Sequence, residues 1–225
     1  MNKFHGYSST ESLDDTNEPR SLHDAVRRGA ADALRRLLRC GADPHELSLA
    51  LIRAVWYSHE ACIRLLLAAG ADVNATAHDR TVLMNTKKVK FLPLLLEAGV
   101  DVNARDSRGA TALLRKAQHN RVAWLEPLLK AGADINARDY FGSSALHLAA
   151  YARKFEAVQE LIRLGADVNA QDAHGNTPLM AAISSRSLPI ARLFLAAGAD
   201  TSLRDCGGRT ADDDAKRIWC GAKWH

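Results

Sequence analysis

The residues of this chain that could carry out catalysis or bind a metal are not spaced for either task. His59 and Glu60 are followed by Ala61 and Cys62, so the second histidine of a His-Glu-x-x-His zinc site is absent. A glycine-rich phosphate-binding loop is also absent from the sequence. The spacing of the four cysteines matches no zinc or disulfide framework; they are Cys40, Cys62, Cys206 and Cys220. We therefore predict free thiols, no cofactor and no catalytic residues.

One metal site stays open as an alternative at the C-terminal end of the chain. Cys206, Cys220 and His225 could in principle meet around an ion, although their spacing is unlike that of any zinc module. The side chains of Asp167 and Asn169 recur at a fixed interval along the chain, which is typical of residues that form turns rather than of a catalytic carboxylate pair. The sequence thus predicts no metal and no enzyme activity.

The segments that must position these residues recur with a fixed period. The intervals from Gly132 to Gly165 and from Gly165 to Gly198 are equal, and each of these glycines is followed by Ala-Asp. The apolar segments 144–150 and 177–182 lie between them in the same phase. This pattern resembles the ankyrin repeat, which has a period of about 33 residues and a Thr-Pro-Leu-His-x-Ala signature.

The resemblance implies a mainly α-helical solenoid of stacked helix-turn-helix units with short β-hairpin fingers, comprising about six repeats and a polar C-terminal cap. Residues 1–18 hold few apolar side chains, so we expect an acidic, mobile N-terminal tail. Residues 19–225 form the predicted repeat domain. Its predicted units are residues 19–43, 44–72, 73–101, 102–134, 135–167, 168–200 and the cap 201–225.

Composition and charge indicate where the protein is located and what kind of partner it binds. The sequence holds no run of about 18 apolar residues and no apolar signal segment, which favours a cytoplasmic protein without a membrane span. The net charge is +4, and residues 1–20 carry −2, so residues 21–225 carry +6. This surplus favours an acidic partner but falls short of the dense basic stripe of nucleic-acid-binding proteins.

The second and third predicted repeats are shorter than the others. The interval from Gly41 to Leu49 is smaller than the equivalent interval from Gly165 to Thr177, so we expect a bare turn in place of the second finger. In the third repeat the first helix, around residues 82–88, should be about one turn short.

Prolines mark further irregularities in the second helices. Pro93 and Pro127 lie inside their segments and should delay or kink the helix, whereas Pro189 falls near a helix start.

Several positions depart from the pattern that the resemblance implies. A glycine between the two helices of each repeat is replaced by Ser58, Asn120, Arg153 and Arg186. Because arginine tolerates a left-handed backbone poorly, we expect this turn to be altered. Ser21 aligns with the first helical position of its repeat, and His23 and His147 align with a histidine that bonds across the finger turn, so we interpret both as scaffold.

The caps of the sixth repeat and of the C-terminal unit are also predicted. Thr177 should cap a helix that begins at Pro178. Thr210 should begin the last helix, with three aspartates in its first turn and Gly221 at its end, and Trp219 and Trp224 should cover the end of the core.

In ankyrin proteins the partner usually lies on a concave face made by the finger tips and the first helices. The residues of this chain that align with that face are Arg27, Arg28, Trp56, Tyr57, Lys87, Lys88, Ser107, Arg108, Gln118, His119, Tyr140, Phe141, Tyr151, Ala173, His174, Ser184 and Ser185. Trp, Tyr and Arg dominate the energetic centres of interfaces. For Trp56 and Tyr57 an equal alternative is that they cover core exposed by the missing finger, whereas binding is favoured for Tyr140 and Tyr151.

The predicted function is that of a non-catalytic protein-binding module, an adaptor or a stoichiometric inhibitor, monomeric before it binds its partner. One alternative is a bacterial or viral effector, or an immunity-type protein, that neutralises one target. A further alternative is an enzyme with a site in the irregular third repeat, although no nucleophile, base and orienting group can be placed together there.

Overall fold

The computed structural model describes residues 19–219, which form paired helices stacked in two layers. The α-helices are α1 (Leu22–Arg28), α2 (Ala31–Arg39), α3 (Pro44–Tyr57), α4 (Glu60–Ala68), α5 (Val82–Asn85), α6 (Leu92–Glu97), α7 (Ala112–Gln118), α8 (Leu125–Lys130), α9 (Ala145–Tyr151), α10 (Phe155–Arg163), α11 (Pro178–Ser184), α12 (Leu188–Ala196) and α13 (Ala211–Trp219). The strands are β1 (Thr76–Ala77) and β2 (Arg80–Thr81), and 3₁₀ turns cover Val89–Phe91 and Val122–Trp124.

Each first helix of a repeat packs on the first helix of the next, in the order α1, α3, α5, α7, α9, α11, α13. The second helices form the other layer, in which α2 packs on α4 and α10 on α12. One continuous apolar core runs between the layers from Leu22 to Ala215. The predicted solenoid is therefore confirmed, although the predicted tail (residues 1–18), Gly221 and Trp224 lie outside the described residues.

Hydroxyl caps start most of the first helices. Thr177 Oγ1 accepts a hydrogen bond from Met180 N at 3.3 Å, and Pro178 supplies the fixed φ of the first turn, as predicted. Ser144, Thr111 and Thr81 cap α9, α7 and α5 in the same way.

The aspartate and asparagine of each repeated turn join that turn to the next one along the chain. Asn169 N donates to Asp167 Oδ1 at 2.9 Å, and Asn169 Oδ1 accepts from Asp200 N of the next turn at 2.8 Å. Asn103 makes the equivalent bond to Asp134 N at 3.0 Å. These groups build turns, which confirms the structural interpretation of Asp167 and Asn169.

The second repeat lacks a finger, as predicted. Asp43 Oδ2 accepts from His45 N at 2.9 Å and caps α3, which begins at Pro44 immediately after the turn. The helix α3 is 14 residues long, against 7 in α9 and α11, so the chain continues as helix instead of forming a finger. The strand β1 of the third finger packs against α3.

The first helix of the third repeat is 4 residues long, which confirms the predicted shortening. The carbonyl groups exposed by its early end accept hydrogen bonds from the fourth repeat. Lys116 Nζ donates to Met84 O at 3.0 Å and to Thr86 O at 2.5 Å, and Trp124 Nε1 donates to Lys87 O at 3.3 Å. A cation near a helix C-terminus also opposes the negative end of the helix dipole.

Lys116 is only 5% exposed and lies with Nζ 4.3 Å from the centre of the Trp124 ring. Its burial lowers the pKa of the ammonium group from 10.5 to about 7, with smaller contributions from the positive charges of Arg121 and Arg80. The group that caps the shortened helix therefore loses its proton much more readily than an exposed lysine does.

The prolines act as the sequence indicates. The helices α6 and α8 begin late, each after a 3₁₀ turn, so that Pro93 and Pro127 fall in the first turn of their α-helices. Pro189 lies in the first turn of α12.

The expectation that the turn between the helices is altered is wrong. The φ angles of Ser58, Asn120, Arg153 and Arg186 are 65°, 54°, 57° and 56°, all in the left-handed region that Gly29 adopts in the first repeat. Arg153 N donates to Ala150 O at 3.0 Å in this turn. The surrounding helices fix the turn, and the arginines accept a strain of about 1 kcal/mol.

The predictions for Ser21 and His23 in the first repeat are wrong in detail, and the prediction for the last helix needs an addition. Ser21 is not the first helical residue but the cap of α1, since its hydroxyl accepts from Asp24 N at 3.2 Å. His23 Nδ1 is buried and has no hydrogen-bond partner within residues 19–219, so His23 does not bond across a turn as His147 does. At the other end α13 follows Thr210 as predicted, but Asp214 is buried beside Arg217, at 3.0 Å from Asp214 Oδ1 to Arg217 Nη2.

Candidate partner-binding surface

The tips of the fingers in the fourth and later repeats are joined by backbone hydrogen bonds into one rim. Tyr140 N donates to Arg108 O at 3.0 Å, Ala173 N donates to Phe141 O at 2.9 Å, and Cys206 N donates to His174 O at 2.8 Å. Since each tip is tied to the next, side chains on this rim keep fixed relative positions. We call the first helices together with the finger tips the first-helix face.

The third finger differs from the others. It is the only two-stranded hairpin within residues 19–219, with Thr76 paired to Thr81, and His78 and Asp79 both have positive φ at its turn. No backbone hydrogen bond of the described chain links it to the next tip, so the rim is interrupted between residues 80 and 106.

Aromatic side chains at the predicted positions are exposed. Tyr140 is 70%, Phe141 59%, Trp56 45%, Tyr57 44% and Tyr151 44% exposed. Such side chains are costly to leave in water and are enriched at interfaces. The five aromatic residues named by the sequence therefore form exposed apolar area on the first-helix face.

The structure gives Tyr140 a fixed support. A Cβ placed on Gly109 would lie 2.6 Å from Tyr140 Cδ1, so the ring rests directly on the glycine of the preceding finger tip. Glycine is needed there both for this contact and for its φ of +75°.

Some of the other predicted residues are engaged in local contacts. Arg27 and Arg28 pair with Asp24, at 2.8 Å and 3.0 Å between nitrogen and oxygen. Gln118 Oε1 accepts from Arg115 Nη1 at 3.2 Å, and Ser185 Oγ donates to Ala150 O at 3.0 Å.

The remaining predicted residues lie at exposed or cavity positions. Ser184, Ala173 and His174 are exposed. Ser107 and Arg108 line a polar cavity of about 210 Å³, and Lys88 lines another of about 460 Å³.

The structure brings three of the predicted residues together, namely Trp56, Lys87 and His119. Lys87 Nζ lies 3.8 Å from the centre of the Trp56 ring, a cation–π contact. All three line a cavity of about 310 Å³ between the third and fourth repeats, which we call the basic pocket. Arg80, Arg115 and Arg121 add three further cations to it, and the titratable amine of Lys116 also lines it.

A larger cavity lies beside the basic pocket, against α3. Its volume is about 720 Å³, and its apolar walls come from Leu49, Ile52, Trp56 and Ala77. We call it the apolar pocket. It lies between α3 and the third finger, and Trp56 forms one of its walls.

The charges of the basic pocket act on one another. Burial, and then the positive charges of Arg80, Arg115, Arg121 and Lys116, lower the pKa of His119. Asp106 is buried, which by itself raises its pKa, but hydrogen bonds from Arg115 and from the backbone outweigh burial and hold the pKa low. Asp106 Oδ2 and Arg115 Nη2 are 2.5 Å apart, so Arg115 already has its counter-charge.

Sequence reasoning missed Arg53, which lines the apolar pocket. It also missed four residues of the basic pocket, namely Arg80, Arg115, Lys116 and Arg121. One signal for Lys116 was present, because it stands in the inward stripe of α7 where α9 and α11 have Ala149 and Ala182. The convergence of Arg80 from a finger with Arg121 from the turn after α7 has no local signal, since it depends on how two irregular repeats stack.

The buried histidine of the fifth repeat is held by hydrogen bonds on both ring nitrogens. His147 Nδ1 lies 2.9 Å from Ser144 Oγ, and its Nε2 lies 2.8 Å from Asn176 O, which confirms the structural role of this histidine. Within residues 19–219, no three His, Cys, Asp or Glu side chains are grouped to hold a metal, and Cys220 and His225 lie outside that range. None of the helices in the described part of the chain combines the length and apolar character of a membrane span.

Comparison with known proteins agrees with this architecture. The human ASB11 ankyrin repeat domain superposes with a TM-score of 0.75 at 26% sequence identity, covering 88% of this chain and 92% of that domain. A search of curated proteins finds no match. The family described as ankyrin repeats (3 copies) matches residues 4–77 and 117–205, leaving out α5, α6 and most of α7. Because that match covers more than half of the sequence, the chain belongs to the ankyrin repeat family.

Proposed function

We propose that this chain is a non-catalytic module that binds one partner protein along the first-helix face, as an adaptor or a stoichiometric inhibitor. Ankyrin repeats are generally protein–protein interaction modules. The observation that carries the proposal here is the set of exposed aromatic side chains on that face, of which Tyr140 at 70% exposure is the most prominent.

Rigidity of the rim supports this function. The tips that carry Tyr140 and Phe141 are tied to their neighbours by backbone hydrogen bonds, so little side-chain or loop ordering is needed when a partner binds. Aromatic side chains on a fixed support lose little conformational freedom and bury much area, which is the character of interface hot spots.

Charge supports an acidic partner. The basic pocket adds cations to the same face, and complementary charge raises the rate of encounter and selects among partners. The mechanism is steric: the partner is held or blocked, and any catalytic activity belongs to the partner.

The test is affinity capture from the native host with this chain and three variants, Trp56→Ala, Tyr140→Ala and Tyr151→Ala. Phe155→Ala is the matched control, because Phe155 is an exposed aromatic residue at the start of α10, in the second layer. We expect the three variants to recover the specific partner at least tenfold less well than the wild type, and the control to recover it normally. Equal recovery by all four folded variants would contradict the proposal.

A further inference from the structure

The apolar and basic pockets are two parts of one depression. Trp56, Arg80 and Asn85 line both. Lys87 lies over the face of Trp56 at the junction. A ligand that enters one pocket therefore meets a wall of the other.

The apolar pocket has ample room for a bulky apolar side chain. Its volume of about 720 Å³ lies within the range of ligand sites, and Leu49, Ile52 and Trp56 supply apolar walls. Its polar walls come from Arg53, His78, Arg80 and Asn85. It lies between the lengthened α3 of the second repeat and the finger of the third.

The basic pocket holds cations that lack counter-charges. Arg115 is paired with Asp106, and Lys116 donates to backbone carbonyls. Within residues 19–219, no carboxylate forms an ion pair with Arg80, Arg121 or Lys87. Guanidinium groups bind a carboxylate through two parallel hydrogen bonds, so the charge complement of this pocket is an acidic side chain.

A ligand that fills both pockets must carry an apolar group and an acidic group close together, because Trp56, Arg80 and Asn85 line both. In an extended peptide, residues i and i+2 point to the same side and are roughly 7 Å apart. We take this spacing for the two side chains of the ligand.

We propose that this depression binds an extended segment of the partner in which a bulky apolar side chain and an acidic side chain are two residues apart. The apolar side chain occupies the pocket against α3, and the carboxylate pairs with Arg80 and Arg121. This inference rests on the proposed function, since it specifies the chemistry of the partner at one part of the first-helix face.

The test is selection of random linear peptides displayed on phage against residues 1–225, followed by affinity measurement with fluorescein-labelled copies of the enriched peptides. We expect enriched sequences to pair Asp or Glu with Leu, Ile, Phe or Met at i±2. Replacing either residue in a selected peptide by Ser should weaken binding at least tenfold. Binding should also weaken as NaCl rises from about 50 to about 300 mM, because exposed charge pairs are screened.

The protein variant is Arg80→Glu/Arg121→Glu, and the matched control is Arg39→Glu/Arg192→Glu. Both change the net charge equally, but Arg39 and Arg192 are exposed on second helices away from the depression. We expect the first to lose at least tenfold in affinity and the control less than twofold, with circular dichroism showing that both remain folded.

Three outcomes would overturn this inference: no enrichment, enriched peptides without an acidic residue, or equal binding by the two charge variants. The inference would also be overturned if a fluorescein-labelled single-stranded oligonucleotide bound as tightly as the selected peptides and lost the same affinity in Arg80→Glu/Arg121→Glu. The site would then recognise phosphate. Peptides whose binding is lost in Tyr151→Ala but kept in Arg80→Glu/Arg121→Glu would leave the proposed function standing and remove the depression from it.

Discussion

The substitution Lys116→Met tests how the shortened third repeat is closed. Methionine keeps an unbranched side chain of similar length but removes the ammonium group that donates to Met84 O and Thr86 O. It also removes a charge that the interior disfavours, because burial lowers the pKa of Lys116 from 10.5 to about 7. The two effects differ in their dependence on pH, which lets one experiment separate them.

The direction follows from proton binding. Between about pH 7 and 10.5 the unfolded chain keeps a proton on Lys116 that the folded chain has released, so the free energy of unfolding rises with pH in this window. Below about pH 7 both states are protonated, and the contribution becomes constant. The largest slope is about 1.4 kcal/mol per pH unit, which gives about 2 kcal/mol between about pH 7.5 and pH 9.

The assay is urea unfolding of the wild type and of Lys116→Met at both pH values, followed by circular dichroism. We expect the wild type to gain about 2 kcal/mol more than the variant between the two pH values. Lys130→Met, which removes an exposed lysine of α8, is the control and should keep the wild-type dependence. If Lys116→Met keeps that dependence as well, the buried ammonium is not the titrating group and our account of this cap fails.

Three further predictions concern single residues. Gly109→Ala should lower the free energy of unfolding by about 2 kcal/mol, because alanine is strained at a φ of +75° and its Cβ meets the Tyr140 ring. Gly132→Ala is the control: its Cβ would meet open space, so it should cost only the backbone strain of about 1 kcal/mol. Equal losses in urea unfolding would refute the contact with Tyr140. Arg153→Gly should raise the free energy of unfolding by about 0.5 kcal/mol by relieving the left-handed turn, and a lower melting temperature would speak against strain. His147→Gln should weaken the loss of stability below pH 6.5, since burial lowers the pKa of His147 and the unfolded chain takes up the proton first; an unchanged acid limb in thermal unfolding would rule this out.

Counting positions between recurring glycines was enough to predict the regular part of the fold. The constant interval between Gly132, Gly165 and Gly198 predicted the stack, and the shortened interval from Gly41 to Leu49 predicted the bare turn. A shortened interval shows how many residues a repeat lacks, but it does not show which other residues fill the place of the missing ones. The lengthening of α3 therefore could not be predicted from spacing.

The candidate site was harder to predict than the fold. Exposed aromatic residues at aligned positions, such as Tyr140, could be named in advance because each depends on one repeat. The basic pocket depends on Arg80 and Arg121, which come from different repeats at the place where the period fails. At Arg153 the local residue preference was misleading. Arginine disfavours a left-handed backbone, which predicted a changed turn, but the packing of the two helices keeps the usual turn.

The interruption of the finger rim between residues 80 and 106 has a mechanical consequence. From Arg108 to Cys206 the tips are bonded in series, so displacing one tip requires its neighbours to move with it or a hydrogen bond to break. The hairpin at His78 and Asp79 does not belong to this series. At the junction of the third and fourth repeats, the side-chain bonds of Lys116 and Trp124 hold the array together in place of a bond between finger tips.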